Sequence, residues 1–211
     1  MNGAIGGFDH IIIGVADLEA ARRAYRRLGF TLSPRGRHIG WGTANYCIMF
    51  EADYLELLGI IDPTQFSNNL DKRLEEKGEG LLGVSFATED AEVAHTQLSG
   101  LGAEPPKDLK RLLELPKGVA EPAFRLVHLP LQATPGAGAF LCQHLSRDLV
   151  WRAEWLEHAN GARFVTGVTA RVGDLDQAAV AYGKLLGLSA LLETDGEVRV
   201  KVGGGELRDR K

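Results

Sequence analysis

The sequence predicts an α+β fold in which repeated βαβββ units pair into a curved mixed sheet, a cup or half-barrel with its helices outside. Three observations predict it. First, an aspartate opens three segments with the same apolar offsets: Asp17 before Leu18, Ala21, Tyr25 and Leu28; Asp90 before Ala91, Ala94, Leu98 and Leu101; Asp174 before Leu175, Ala178, Tyr182 and Leu185. Each series is one face of a three-turn helix. Second, a glycine (Gly29, Gly102 or Gly187) stands at or just beyond the end of every series. Third, a strand-like run precedes each helix and further strand-like runs follow it, so the repeating unit is strand, helix, then antiparallel strands. One unit alone would leave an open sheet edge and a bare sheet face, and two side by side cover both.

The elements follow in order. Leading strands are expected at 10–15, 83–88 and 167–172. Each cap aspartate accepts from the free N–H groups of the first helical turn. An acid two places on (Glu19, Glu92, Asp176) suits the positive end of the helix dipole. The closing glycine suits a left-handed cap. Strands are then expected at 30–34, 44–50 and 54–60 in the first unit, at 124–129 and 139–145 in the second, and at 188–193 and 198–202 in the third. Residues 62–80 read as a connector with a short helix on Phe66, Leu70 and Leu74. Residues 147–161 read as a helical turn carrying Trp151, Trp155 and Leu156. The stretch 104–123 contains four prolines and few strand signals, which reads as a long loop, either a binding loop or a plain surface insertion. Residues 203–211 read as a polar tail where a final strand should be. The division is therefore a paired domain over 1–147 (units 8–61 and 80–146), a connector over 148–162, and a third, incomplete unit over 163–211.

Composition narrows the class of partner. The formal net charge is -4 with no long basic run, so nucleic acid and anionic membrane are excluded as expected partners. Apolar runs such as residues 11–15 are strand-length, far below a membrane span. The first seven residues lack the basic and apolar regions of a secretion signal, which leads to a cytoplasmic expectation. Cys47 and Cys142 are too few for a disulfide scaffold and read as small core residues in a reducing compartment. The third unit has no pairing partner by this count, so it pairs with a unit of another chain, packs on the first pair, or is shortened, and a homodimer is expected partly on this ground.

Counting seven residues back from each cap aspartate gives His10, Gly83 and Gly167, and the first unit alone places a reactive side chain there. On a strand, His10, Ile12 and Gly14 share one face and Ile11, Ile13 and Val15 the other. The isoleucine face suits the underside of a helix, which turns His10 toward the concave side. In the last strand of that unit, Tyr54, Glu56 and Leu58 share a face. A carboxylate midway along an apolar strand is costly unless paired or metal-bound, and a cup interior supplies a setting for it. Further on, Gly40 and Gly42 allow close backbone approach to a ligand, Thr43 and Asn45 share a strand face, and Trp41 supplies an apolar wall. With His38 as an acid/base or hydrogen-bond donor, they form a candidate substrate-orienting patch; the alternative is a hairpin turn with local hydrogen bonds.

Residues 8–18 (FDHIIIGVADL) with Leu28-Gly29-Phe30 resemble the opening of glyoxalase-like members of the vicinal-oxygen-chelate superfamily. Residues 38–46 (HIGWGTANY), 54–59 (YLELLG) and 158–162 (HANGA) resemble one branch, the large glyoxalase-like domain of bacterial proteins. The likeness covers nearly the whole chain. It implies a paired βαβββ cup and, in catalytic members, a divalent metal held by residues of the first and last strands. Carried onto this chain, His10 and Glu56 match the first-unit ligand positions, and imidazole with carboxylate suits Zn, Ni, Mn or Fe(II). The second unit departs from the pattern, with Gly83 at its first-strand position. Its last strand offers His144 as a metal ligand or Gln143 as a substrate contact, and since neighbours on a strand face opposite ways, at most one enters the cup.

The resemblance therefore implies a metal-dependent lyase, isomerase or dioxygenase acting on a small oxygen-rich substrate. The metal (His10, Glu56, His144) would stabilise an enediolate or other oxyanion, while Glu56 or His38 moves the proton. Trp41, Thr43, Asn45, Tyr54 and Gln143 are the expected substrate contacts. The alternative is a metal-free protein of the same fold that binds or sequesters a small molecule, as bleomycin-resistance proteins do.

Overall fold

The computed structural model describes residues 4–187, 191–193, 197–202 and 205–210. Strand β1 (Gly7–Gly14) leads into helix α1 (Leu18–Arg27), then β2 (Gly36–His38), β3 (Thr43–Met49) and β4 (Tyr54–Ile60). After helix α2 (Leu70–Lys77), the second unit runs through β5 (Gly80–Ala87), α3 (Ala91–Leu98), β6 (Lys107–Leu115), β7 (Gly118–Ala120), β8 (Ala123–His128) and β9 (Gly138–His144). A short helix α4 (Arg147–Val150) and a 3-10 turn lead to the third unit. That unit comprises β10 (Gly167–Arg171), α5 (Leu175–Leu186), β11 (Leu191–Glu193), β12 (Glu197–Val202) and β13 (Gly205–Arg210).

The caps form as their chemistry requires. Asp17 accepts from Ala20 N at 2.8 Å, Asp90 from Glu92 N and Val93 N, and Asp174 from Gln177 N. At the far end of α5, Gly187 takes φ +65° and donates to Gly183 O, a conformation that a side chain would strain.

The first two units build one curved mixed sheet in the order β2-β3-β4-β1-β5-β9-β8-β6-β7. Strand β1 runs parallel to β4 and β5 runs parallel to β9, while β1 and β5 meet antiparallel at the centre. The curve closes on itself. Strand β2 pairs with β6 through Gly36↔Leu113, Arg37↔Leu112 and His38↔Arg111, so eight strands enclose an interior and the expected cup is a barrel.

Three expectations need correction. Residues 30–34 are not a strand. Only Ser33 pairs there, through its N–H to Cys47 O and its hydroxyl to Cys47 N, and Pro34 has no N–H with which to continue a ladder. The stretch 104–123 is not a loop, since it holds β6 and β7. Leu109, Arg111 and Leu113 point inward along β6, and the charged residue in the middle breaks the apolar alternation that marks a strand. The four prolines lie just outside the strand ends. Finally, the expected polar tail contains β13, which pairs parallel with β10 and antiparallel with β12. Leu207 is buried along it, while Glu206 and Arg208 form an ion pair at its surface. Residues 188–190, 194–196, 203, 204 and 211 of the expected third unit lie outside the described residues.

The third unit packs on the first two. Val168, Ala178, Tyr182 and Leu185 join Phe8, Ile11, Val84 and Leu141 in one apolar core beneath the barrel. Tyr182 donates to Pro135 O at 2.9 Å. A second core under α1 contains Val15, Leu18, Tyr46 and Leu57, with Ile13 against it, so the isoleucine face of β1 does lie on the helix side. Among the described residues, no helix is long and apolar enough to cross a membrane.

Candidate functional site

The barrel interior opens into a cavity of about 650 Å³. Among its reactive groups, six come from five strands: His10 on β1, His38 at the end of β2, Thr43 and Asn45 on β3, Glu56 on β4 and Arg111 on β6. A barrel interior is where alternate residues of every strand converge, so a polar set spread over sequence becomes one cluster.

His10 and Glu56 meet at its floor, with Nε2 and Oε2 3.3 Å apart and both side chains buried. The other Glu56 oxygen accepts from Asn45 Nδ2 at 2.6 Å. On its far side, His10 Nδ1 lies 2.6 Å from Asp9 Oδ2. The two Asp9 oxygens also lie 3.0 and 3.1 Å from His144 Nε2. The four groups Asn45, Glu56, His10 and Asp9 thus form a continuous line, with His144 anchoring its end.

Electrostatics fixes where the protons are. Burial by itself would raise the pKa of Asp9. Hydrogen bonds from His10 and His144 and the charges of both rings outweigh it and hold the carboxyl well below its ordinary value. An ionised carboxylate only accepts, so His10 Nδ1 and His144 Nε2 both donate to it. His10 Nε2 is then the free nitrogen, aimed at Glu56. Burial would likewise raise the Glu56 pKa, but His10, His38, Arg111 and the Asn45 amide outweigh it and hold the carboxyl below its ordinary value. His10 Nε2 and Glu56 Oε2, 3.3 Å apart, are therefore placed to share one proton.

Both rings are fixed by packing. The imidazole of His10 stacks on Tyr54 with centroids 4.5 Å apart and meets Phe140 edge-on at 5.5 Å. Higher in the cavity, His38 Nδ1 is hydrogen-bonded to Thr43 Oγ1 at 2.9 Å, and its ring lies 5.4 Å from Trp41. Burial pushes its pKa down, as does Arg111, against the pull of Glu56, so the ring is neutral near pH 7. The Thr43 hydroxyl is able to donate to Nδ1 or to accept from it, and in the tautomer where it donates, the ring proton sits on Nε2.

The structure brings His10, Glu56, His38, Trp41, Thr43, Asn45 and Tyr54 to one cavity wall or floor. Two expected residues stand elsewhere. Gln143 faces the helix side of the sheet, where its Oε1 accepts from Ala91 N and its Nε2 donates to Glu89 O, and it does not line the cavity. His144 does face the interior, but its Nε2 is turned to Asp9, behind the His10 ring as seen from Glu56. The three expected metal ligands do not converge on one point.

The donor set does not fit the four-ligand metal centre implied by the fold. Strand register makes this concrete. His10 pairs with Tyr54, and Glu56 lies two residues along. In the second unit, Gly83 pairs with Gly138, and the residue two along is Phe140. A Cβ at Gly83 would lie 2.7 Å from Gly138 O, so no ligand side chain fits there, and Phe140 offers no donor. Among the described residues, the one group that brings three ligand-type atoms within 4.8 Å is Asp9, Cys142 and His144. As arranged, its Asp9 oxygens are taken by two imidazoles. Burial and Asp9 push the Cys142 thiol pKa far up.

Two site residues were missing from the sequence reading. Asp9 precedes His10, and strict alternation puts neighbours on opposite faces. The β1–β5 register shifts between Phe8 and His10, a β-bulge that brings both side chains to the same side. Arg111 lay in the stretch read as a loop. An arginine flanked two residues away on each side by leucine was the available signal.

A family model described as a glyoxalase-like domain matches residues 8–186. No curated protein matches the chain. Among solved structures, a hypothetical protein from Staphylococcus aureus superposes with a TM-score of 0.76 at 17% identity, covering 96% of this chain and 85% of that one. A methylmalonyl-CoA epimerase from Mycobacterium tuberculosis gives 0.53 at 18% identity, covering 70% and 94%. A Streptomyces coelicolor methylmalonyl-CoA epimerase in complex with 2-nitronate-propionyl-CoA gives 0.51 at 22% identity, covering 67% and 99%. At these identities the likeness is one of fold.

Proposed function

Because the chain belongs to the glyoxalase-like domain family of the vicinal-oxygen-chelate superfamily, we propose that its cavity performs acid–base chemistry on a small carbon acid, moving a proton next to a carbonyl. The observation that carries this reading is the line Asn45–Glu56–His10–Asp9, with spacings of 2.6, 3.3 and 2.6 Å. Glu56 is the base. Asn45 holds Oε1, and Oε2, which faces His10 Nε2, exchanges that contact for the proton of the substrate carbon. His10, oriented through Nδ1 by Asp9, returns a proton from Nε2 to the resulting carbanion or its oxygen. His38 Nε2–H donates to the carbonyl oxygen as negative charge develops there, and as a neutral donor it does so without first giving up its proton. The outcome is an isomerisation, or an elimination where a leaving group adjoins the carbanion. Epimerisation, the activity named for two of the structural neighbours, is one member of this class. No step is routed through a metal, since the second unit supplies Gly83 and Phe140 where ligands would stand.

Solvent exchange tests the proposal. The protein is incubated in D₂O with a panel of small 2-oxo and 1,3-dicarbonyl acids, and loss of the α-proton signal is followed by NMR. Wild type accelerates exchange on at least one member and continues to do so after exhaustive chelation. The Glu56→Gln variant loses on the order of 10²- to 10⁴-fold. No exchange above background on any member defeats the reading. Chelator-sensitive exchange restores a metal to the mechanism. A second reading, sequestration without turnover, is favoured by the aromatic lining from Phe124 and Phe140; saturable binding of a ligand that is never exchanged or transformed would select it.

A further inference from the structure

Arg111 lines the cavity at 4% exposure, and among the described residues no carboxylate lies within ion-pair distance of its guanidinium. Its Nε is buried without any partner. Its Nη1 reaches only the Cys47 sulfur, at 3.4 Å, and a thiol is a weak acceptor. The flat of the group lies over the Phe124 ring, 5.2 Å from the centroid. The carboxylate most nearly available, Glu56, is occupied by Asn45 and His10.

Such an arrangement is costly unless something answers it. Arginine does not escape burial by losing its proton, and although the Glu56 carboxylate answers its charge from a distance, no oxygen acceptor meets its inner N–H groups. The fold nevertheless holds it in place. Barrel closure sets Arg111 directly across from His38, and its Cδ packs 3.2 Å from where a side chain at Gly36 would begin. The guanidinium is a rigid fork of donors matched to the two oxygens of a carboxylate.

We propose that Arg111 is the carboxylate-recognition residue of the cavity, so that the carbon acid handled by Glu56 and His10 itself carries a carboxylate. Gripping that group through the unpartnered edge of the guanidinium fixes which carbon–hydrogen bond is presented to Glu56. The second half of this statement rests on the acid–base reading above; the anion site does not.

Isothermal titration of the full chain with malonate and with its neutral diamide, malonamide, tests it. Wild type binds malonate saturably and malonamide at least tenfold more weakly. The Arg111→Met variant binds malonate at least tenfold more weakly than wild type, with a melting temperature equal to or above it. Arg111→Lys keeps the charge, loses the fork, and falls between the two. Glu56→Gln binds malonate as well as wild type or better, because a like charge has been removed. Equal binding of malonate and malonamide overturns the proposal, as does unchanged malonate binding in Arg111→Met, or the absence of saturable binding by malonate, oxalate and acetate alike. Should the Met variant fail to fold, the wild-type pair and the Lys variant decide the matter. An anion signal without proton exchange on any carbon acid would sink the acid–base reading alone, and exchange without an anion signal would sink this one alone.

Discussion

Asp9 shows how much one buried carboxylate decides. It receives two imidazole N–H groups, sets the His10 tautomer, and is buried. Its lowered pKa makes it a source of stability. That stability is fully present above the unfolded carboxylate pKa of about 3.9 and is lost as pH falls below it toward the lower folded pKa. Replacement by asparagine keeps the shape but brings an amide N–H₂ against one of the two imidazole donors. The Asp9→Asn variant is expected to lose about 3 kcal/mol in urea unfolding at pH 7, to show a shallower acid limb than wild type, and to exchange α-protons at least tenfold more slowly. An unchanged exchange rate would mean that Asp9 only supports the fold. At this scale the sequence was legible where chemistry and alternation agreed, as at His10 and Glu56. It was not legible at Asp9, because a bulge is a property of the partner strand's register, which no local pattern records. Arg111 was hidden for the converse reason: a functional charge occupying an interior position erases the very alternation by which interior positions are recognised.

The strands and helices that carry repeated signals were readable one by one. Identical offsets after Asp17, Asp90 and Asp174 gave three helices, and apolar alternation gave most of the long strands. Connections were harder: β2, which closes the barrel on β6, has three residues and no apolar pattern of its own. One connection can be probed directly. Asp53, at the entry to β4, accepts from Val165 N on the segment leading to β10, at 3.1 and 3.3 Å. Burial lifts its pKa to about 6, with the Val165 bond opposing and Asp9 adding to the rise. A carboxyl whose folded pKa exceeds its unfolded one stabilises the fold while protonated. Its contribution therefore fades as pH climbs from about 4 to about 6, and above that the ionised group is a fixed penalty. The Asp53→Asn variant should flatten this part of the stability–pH curve, a difference of roughly 2 kcal/mol between pH 4 and 7 by chemical denaturation. Parallel curves for the two proteins would remove Asp53 from the account.

At the level of the whole molecule, the third unit is tied to the first two by a shared apolar core rather than by a flexible tether. The sequence left open whether this unit pairs with one from a second copy of the chain or packs on the first pair, and it packs beneath the barrel through residues such as Tyr182 and Leu185. A common core predicts common unfolding. The Leu185→Ala variant, which empties a fully buried position in α5, should lower stability by about 2–5 kcal/mol. Scanning calorimetry should show one transition moving as a whole. Two separated peaks would show that the sheets melt independently.

The short pairing of β2 with β6 has a consequence of its own. The barrel is a hoop fastened by a clasp of three residue pairs, and one of those pairs is His38 with Arg111. Any guest that touches both side chains also bridges the clasp. Filling the chamber and keeping the hoop shut are then the same event, and by mass action the guest's affinity is added to the strength of the fastening.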